Sequence, residues 1–302
     1  MLPSTEGSFI DSFPIHANER CPPTLTRSPP SSIFMKISII ICSYNQAAYL
    51  EDAILSVIQQ DHPDTELLVI DGGSDDGSTD ILDKYASHFH YCVSEPDRGQ
   101  THAINKGIDR ATGEILGWLN SDDIYLPGCL AKVARAFGRP FQPNVVHGNR
   151  VMFDAQGNLN GWRCPGPFTP RTNYYNICSE TAFWRGEITR EHGERLKEEL
   201  RFVMDLEWFT RLYVKYGRVR YINDFLGGFR CHEDSKSATM DSVKWEEGPI
   251  EWESLLGYGV PESRRRNWEQ LWGLTRPAYT LYPAVMKKIF KKPVSIRPDR
   301  LS

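Results

Sequence analysis

Residues 37–45 read ISIIICSYN, an apolar run interrupted only by Ser38 that turns polar at its end. A continuous run of β-branched side chains is typical of a strand that is buried on both faces, as in a parallel sheet. Comparable strands are predicted at 66–70, 91–94 and 114–119, and the segments between them show helical periodicity. This alternation predicts an α/β fold with a parallel, doubly wound sheet over residues 36–125.

The composition sets the broad class of protein. The 302 residues are 40% hydrophobic and 25% charged, which is ordinary for a globular protein with a sizeable core. A net charge of -4 gives no electrostatic case for nucleic acid as the main partner. The seven cysteines are scattered singly with no C-x-x-C pair, which favours reduced thiols in a cytoplasmic protein over a disulfide framework. We expect neither a membrane-spanning helix nor a secretory signal.

The chain divides into four parts by composition. Residues 1–34 are rich in Pro, Ser and Thr, which predicts a disordered leader, and Met35 is a candidate for the true start because it opens the first strand. Residues 35–130 hold the predicted sheet, and residues 131–240 are less regular and rich in aromatics. Residues 241–302 form a predicted helical tail that turns basic at Lys287, Lys288, Lys291 and Lys292. That tail either lies on an anionic membrane surface or presents a solvated helix face.

Every predicted strand ends in polar or glycine-rich residues. The four endings are Ser43-Tyr44-Asn45, Asp71-Gly72-Gly73, Glu95-Pro96-Asp97-Arg98-Gly99 and Asn120-Ser121-Asp122-Asp123. In open α/β sheets, ligands bind beyond the carboxyl ends of the strands. Turns alone account for one or two such endings, whereas a ligand-binding edge accounts for all four. We therefore expect a binding site at this edge of the sheet.

A glycine-rich phosphate loop is missing from this edge of the sheet. No G-x-G-x-x-G follows the first strand, and no G-x-x-x-x-G-K-[ST] occurs in the chain. A diphosphate bound here would need a cation, and Mg²⁺ or Mn²⁺ prefers carboxylate and phosphate oxygens. Asp122 and Asp123 are the candidate ligands. An isolated pair of this kind would be a helix N-cap, but its place at the sheet edge favours the metal site.

Four motifs in chain order resemble family 2 glycosyltransferases with the GT-A fold. They are MKISIIICSYN at 35–45, LVIDGGSDDGS at 68–78, EPDRGQ with AINKG at 95–107, and WLNSDD with Pro127 at 118–127. The resemblance weakens in the second half and resumes at 202–208 and 229–237. It implies a Rossmann-like mixed sheet, mainly parallel, flanked by helices and extended by the C-terminal tail. It also implies that 35–130 binds a nucleotide-sugar, and that 131–240 holds the acceptor and the catalytic group.

The resemblance implies roles for the residues at the sheet edge. Contacts to the nucleotide-sugar fall to Ser43, Tyr44, Asn45, Asp71, Asn105, Asn120 and Asp122. Asp71 would accept a hydrogen bond from the base, and Asp122 would bind the metal that bridges the diphosphate. Asn120 stands where many members carry a first Asp, and Asp123 would support the metal site or touch the sugar. His232 would be a third metal ligand, although a lone His is by residue type more often structural.

Asp205, in the segment FVMDLEW at 202–208, resembles the catalytic base of the family. Inverting transfer needs a carboxylate that removes the proton of the acceptor hydroxyl. Glu207 lies two residues further on and should face another side of the helix, where a solvated acid is the simpler interpretation. Arg230 or Lys236 would contact the diphosphate.

These features predict an inverting glycosyltransferase of surface polysaccharide or cell-envelope glycan biosynthesis. The expected donor is a UDP-, GDP- or dTDP-linked sugar, the cofactor Mn²⁺ or Mg²⁺, and the acceptor a glycan or a lipid-linked glycan. We expect a cytoplasmic protein, and the tail leaves open a peripheral contact with the inner face of the membrane. The alternatives are a catalytically degenerate nucleotide-sugar-binding protein and a nucleotidyltransferase, which usually shows a glycine- and basic-rich loop after the first strand. A receiver domain phosphorylated on Asp71 would leave the second half unexplained.

Overall fold

The computed structural model describes residues 35–138, 140, 142–168 and 177–257. The strands are β1 (Ile37–Ser43), β2 (Thr65–Asp71), β3 (Tyr91–Ser94), β4 (Ile115–Asn120), β5 (Ile124–Tyr125), β6 (Val145–Asp154), β7 (Leu159–Arg163), β8 (Ala182–Arg185) and β9 (Val219–Cys231). The helices are α1 (Ala47–Ile58), α2 (Ser78–Tyr85), α3 (Gln100–Arg110), α4 (Cys129–Phe137), α5 (Gly186–Arg190), α6 (Met204–Tyr216), α7 (Lys236–Thr239) and α8 (Asp241–Leu256). The four strands predicted from the sequence are β1 to β4. The predicted leader and the basic part of the tail lie outside the described residues.

The described strands form one mixed sheet in the order β3-β2-β1-β4-β8-β6-β9-β5, with β7 paired to β6. The first four run parallel to one another. Strand β8 then runs antiparallel to both β4 and β6, whereas β9 runs parallel to β6. The expected mixed sheet is confirmed: its first four strands all pair in parallel, and its second half contains both antiparallel and parallel pairs.

Helices cover both faces of the parallel half of the sheet. Ile40 and Cys42 of β1 belong to a core shared with α3, α6 and α8. Their neighbours Ile37, Ile39 and Ile41 pack with α1, α2 and α4 on the other face, because successive strand residues point to opposite sides. The three isoleucines are fully buried, and burying such a side chain contributes about 1.5–3 kcal/mol. The doubly wound arrangement is therefore confirmed.

An aromatic cluster joins α6 to the sheet. Trp118 of β4 stacks on Phe209 at 5.3 Å between ring centroids and meets Trp184 of β8 edge-on at 5.6 Å. Trp184 in turn contacts Trp208 at 5.5 Å. All four rings are fully buried. This packing fixes the position of α6, which carries Asp205 in its first turn.

Among the described residues, no helix is both long enough and apolar enough to cross a bilayer.

Candidate active site

A cleft of about 950 Å³ opens at the carboxyl ends of the parallel strands. The endings of β1, β2 and β4 and the segment after β3 all contribute to its lining, as the sequence predicts. Residues from the start of α6 and from the segment after β9 complete it. The predicted site residues that line it are Ser43, Tyr44, Asn120, Asp122, Asp205 and His232.

The two acids of the predicted metal pair point in different directions. Asp122 lines the cleft with a side chain 20% exposed. Asp123 is buried, and its carboxylate accepts hydrogen bonds from the Arg230 backbone N–H at 3.0 Å and from Asn120 Nδ2 at 3.3 Å. Burial, followed by the charges of Asp122 and Glu180, raises the pKa of Asp123 well above its ordinary value. Asp123 therefore supports the turn from within.

His232 contacts Asp122 directly in the lining of the cleft. Its Nε2 lies 3.0 Å from Asp122 Oδ2, and its ring packs against Tyr49 at 4.8 Å between centroids. Adjacent ligands of an octahedral ion, each about 2.1 Å from the metal, lie about 3 Å apart. The Asp122–His232 pair therefore fits two positions around Mn²⁺ or Mg²⁺. No group of three His, Cys, Asp or Glu side chains suited to a metal occurs among the described residues.

Arg230 braces the acidic turn from behind. Its Nε donates to the Asp122 carbonyl at 2.9 Å, and its Nη2 pairs with Asp52 of α1 at 2.8 Å. The guanidinium also lies over the rings of Tyr49 and Phe153, at 4.7 and 4.6 Å from their centroids. With only 3% of the residue exposed, Arg230 is committed to protein contacts.

Lys236, the other predicted phosphate contact, does line the cleft. Its Nζ donates to Gln100 Oε1 at 2.7 Å and to the Arg201 carbonyl at 3.2 Å. Gln100 passes the network on, since its Nε2 donates to Asn120 Oδ1 at 2.6 Å. Burial lowers the pKa of Lys236, although nearby acidic groups, Asp122 and Asp205 among them, oppose the shift.

The predicted base-binding residues divide into two groups. Tyr44, 62% exposed, and Ser43 both line the cleft.

Asp71 and Asn45 are not among the described residues that line it. The buried Asp71 carboxylate accepts hydrogen bonds from the backbone of Gly73 and Ser74 and from the hydroxyls of Ser74 and Ser94. Asn45 Oδ1 accepts from the Asp75 N–H at 3.0 Å. Both hold the loop after β2, and their nucleotide roles remain predictions.

Asn105 holds a different loop. Its amide exchanges two hydrogen bonds with the Leu196 backbone, at 2.9 Å to the carbonyl and 3.0 Å from the N–H. It is buried and, among the described residues, does not belong to the cleft lining. This contact orders the segment between α5 and α6.

Asp205 is the second residue of α6 and lines the cleft. Its Oδ1 accepts the Leu206 N–H at 2.8 Å, and a carboxylate in a first helical turn is favoured by the helix dipole. Glu207 faces away, as expected, but the expectation of a solvated acid is wrong. Glu207 is fully buried and paired with Arg211 Nε at 2.6 Å, because α6 packs its other side against the core.

Two features of the cleft involve residues to which the prediction assigns no individual role. Asp97 lines it, with Oδ1 accepting the Gly99 N–H at 2.7 Å. Its place in the EPDRG motif was a usable signal. Glu180 and Arg150 also line the cleft and pair at 3.2 Å. This ion pair joins residues that are 30 positions apart in the chain, so no local sequence pattern predicts it.

The fold and the cleft place the chain among α/β proteins that bind a ligand beyond the carboxyl ends of their strands. Residues 38–189, just over half of the chain, match the family described as Glycosyl transferase family 2. The chain belongs to this family.

Three relatives illustrate the similarity. A PGL/p-HBAD biosynthesis glycosyltransferase of Mycobacterium bovis is 33% identical over 154 residues, 49% of this chain and 58% of that protein. The crystal structure of S. aureus TarS 1-349 in complex with UDP-GlcNAc matches with a TM-score of 0.59 at 20% identity, covering 76% of this chain and 69% of that one. The mannosyltransferase PcManGT of Pyrobaculum calidifontis, in complex with GDP-Man and Mn²⁺, matches with a TM-score of 0.54 at 16% identity, covering 88% and 90%. The chain spans between about a third and three-fifths of the curated relatives it matches, and the two structures show the shared GT-A fold.

Proposed function

We propose that this chain transfers a sugar from a nucleoside diphosphate donor to an acceptor hydroxyl, with inversion at the sugar carbon. One observation carries the proposal: Asp122, His232 and Asp205 line the same cleft at the carboxyl edge of the parallel strands. The Asp122–His232 pair is suited to bind a metal, and the Asp205 carboxylate is suited to act as a general base. All three side chains would face a substrate bound in this cleft. Membership in glycosyl transferase family 2 supports the proposal.

The nucleotide would lie where β1, β2 and β3 end. Tyr44 offers an exposed ring on which a base can stack, and Asp97 offers a carboxylate to a ring N–H of that base. A Cβ added to Gly72 would lie 3.1 Å from the Tyr44 ring and 3.2 Å from the Asp97 carboxylate, so these three residues are close neighbours. Uracil, thymine and guanine each carry a ring N–H, and we propose a donor from this group.

The diphosphate would lie beside Asp122 and His232. These two residues would hold Mn²⁺ or Mg²⁺, as their separation allows. When bound, the cation neutralises charge that develops on the departing diphosphate. The Lys236 ammonium, which lines the same cleft, adds a positive charge of the protein's own. The Mn²⁺ complex of the mannosyltransferase relative supports a divalent cation.

Asp205 would act as the general base. Its carboxylate takes the proton of the acceptor hydroxyl while the hydroxyl oxygen forms a bond to the anomeric carbon. The bond from that carbon to the diphosphate oxygen breaks on the opposite side, and the nucleoside diphosphate leaves with the electron pair. Attack opposite to the leaving group inverts the configuration.

The acceptor would approach from the side of β6, β7 and β9, where Arg150, Arg163 and Phe229 line the cleft. We propose a glycan or lipid-linked glycan of the cell surface. The similarity to a PGL/p-HBAD biosynthesis glycosyltransferase supports a role in glycan biosynthesis. The transfer reaction would take place in the cytoplasm, and the basic tail would contact the inner face of the membrane.

Calorimetry with UDP, GDP and dTDP, each with Mn²⁺ and with a chelator, tests the donor proposal. We expect one of the three to bind in a metal-dependent manner, and binding of none would overturn the proposal. Asp205→Asn should keep that binding and lose sugar transfer. Binding without transfer to any acceptor by the wild type would instead indicate a degenerate nucleotide-sugar-binding protein.

A further inference from the structure

The turn that leads into α6 is held by a single carboxylate from another helix. Glu247 Oε1 accepts the Arg201 N–H at 3.1 Å, and its Oε2 accepts the N–H groups of Phe202 and Val203 at 3.0 and 3.2 Å. Three successive backbone N–H groups that converge on one anion form a nest. Hydrogen bonds to an ionised acceptor are roughly twice as strong as neutral ones, so the turn is firmly anchored.

Glu247 reaches this turn from α8, outside the residues that match the family. Helix α8 is itself fixed on α6. Trp252 is 2% exposed in the core that the two helices share, and Glu251 pairs with Lys197 at 2.7 Å. The Glu247 side chain is 16% exposed. The carboxylate therefore sits on a rigid support and is largely shielded from water.

The anchored turn runs directly into the active site. Phe202, Met204 and Asp205 line the cleft, and all three lie within the turn or the first two residues of α6. The N–H groups of 201–203 precede the first hydrogen bond of the helix, from Glu207 N–H to the Val203 carbonyl. Without Glu247 they would lose their common acceptor, and the turn would be free to change the direction in which Asp205 enters the cleft.

The donor side of the cleft contacts the same turn. Lys236 Nζ donates to the Arg201 carbonyl at 3.2 Å and to Gln100 Oε1 at 2.7 Å. The Arg201 backbone therefore makes two hydrogen bonds: its N–H donates to Glu247, and its carbonyl accepts from Lys236. Both residues come from the segment that follows β9, which also carries His232.

We propose that Glu247 is a positioning residue that aligns Asp205 for proton removal. This role rests on the proposed function of Asp205 as the base. Glu247 contacts the turn and not the substrate, so it acts on the catalytic step and leaves donor binding to the strand endings and to the Asp122–His232 pair.

A matched control stands one helical turn further along α8. Glu251 is also a carboxylate, its side chain is 14% exposed, and it pairs with the Lys197 side chain instead of the turn. Glu247→Ala and Glu251→Ala each remove one carboxylate that joins α8 to the segment before α6. Glu247→Gln keeps one oxygen acceptor in place and should partly rescue the function.

The experiment compares these three variants with the wild type in two measurements. The first is release of nucleoside diphosphate, with water as the acceptor, from whichever sugar donor of the nucleotide found by calorimetry the wild type hydrolyses fastest. The second is hydrogen exchange of the peptide that covers 201–203, read by mass spectrometry. Glu247→Ala should lower kcat by about 10- to 100-fold, the effect of misplacing a catalytic group by about 1 Å, with little change in donor KM.

Exchange at 201–203 should accelerate in Glu247→Ala, less so in Glu247→Gln, and stay at the wild-type rate in Glu251→Ala. Unchanged exchange at 201–203 in Glu247→Ala would overturn the proposal, even if the wild type hydrolysed no donor and the proposed function failed. An equal loss of kcat in Glu251→Ala would also overturn it, because general loosening of α8 would then explain both. A loss confined to donor KM would show that Glu247 serves binding and contradict the positioning role.

Discussion

Asp122 and His232 are 110 positions apart in the chain, yet Asp122 Oδ2 and His232 Nε2 lie 3.0 Å from each other at one end of the cleft. Arg230 makes this meeting possible. It lies near the end of β9 beside the acidic turn, where its backbone N–H donates to Asp123 and its side chain donates to the Asp122 carbonyl. Because His232 lies two residues after Arg230, these contacts also position His232 beside Asp122. The acidic turn and the end of β9 thus form one unit.

This geometry predicts different outcomes for the two neighbouring acids. Asp122→Asn and His232→Gln should each abolish the increase in nucleoside diphosphate affinity that Mn²⁺ produces, because each removes one of the paired ligands. Asp123→Asn should keep that increase, since its side chain faces the protein interior. Titration calorimetry with and without Mn²⁺ measures all three. A metal response that survived in Asp122→Asn and vanished in Asp123→Asn would reverse the assignment.

Mutation of Asp97 should weaken nucleotide binding, whereas mutation of Asp71 should mainly lower stability. Asp97→Asn removes the charge from a carboxylate that faces the cleft, and we expect nucleoside diphosphate binding to weaken about tenfold, the effect of losing a charged hydrogen bond. Asp71→Asn should mainly lower the melting temperature, because it disturbs four hydrogen bonds of the loop after β2. Calorimetry and thermal unfolding of both variants provide the comparison. Retained affinity in Asp97→Asn would return the base contact to Asp71.

Local patterns were sufficient to predict the sheet edge and to name Asp122 as a residue facing it, whereas Asp205 was named through the resemblance of 202–208 to the family. An apolar run followed by polar residues is a local signal, and the alternation of strands with helices then predicts that the strands run parallel, with their polar ends at one edge. The direction of each side chain at the edge is not local. Asp123 turns inward because its carboxylate accepts a hydrogen bond from the N–H of Arg230, which lies 107 positions further along the chain. Asn105 points away from the cleft because its amide donates to the Leu196 carbonyl. Glu247 lies in a helix whose residues carry no motif, so its contact with 201–203 follows only from how α8 packs.

Gly107 tests the packing that brings α3 to the sheet. A Cβ at this position would overlap the Ile40 side chain of β1. Gly107→Ala gains about 1 kcal/mol in helix propensity, but overpacking a close-fitted core costs about 1–3 kcal/mol, so we expect a net loss of stability by urea unfolding. Ile40→Ala in the same chain should relieve the overlap, and the double variant should be more stable than the sum of the single effects predicts. Simple additivity would show that α3 can shift to accept the methyl group.

His147 predicts a loss of stability in mild acid. It is fully buried, and burial lowers its pKa from 6.5 to about 4. Neither ring nitrogen has a hydrogen-bond partner among the described residues. Above pH 6.5 the imidazole is neutral in both states and has no effect. As the pH falls from 6.5 towards 4, the unfolded chain binds a proton that the folded chain excludes, so the free energy of unfolding falls by about 3 kcal/mol.

Urea unfolding at several pH values between 7 and 4 measures this decline. His147→Gln removes the titrating group and should flatten the pH dependence in that range, whatever its effect on stability at pH 7. His88, which is exposed in a short 3-10 helix at Ala86–His88, provides the control. His88→Gln should follow the wild-type curve, because this side chain is exposed to solvent and is not part of the core. A wild-type curve that stayed level down to pH 4 would mean that the folded protein admits the proton at His147.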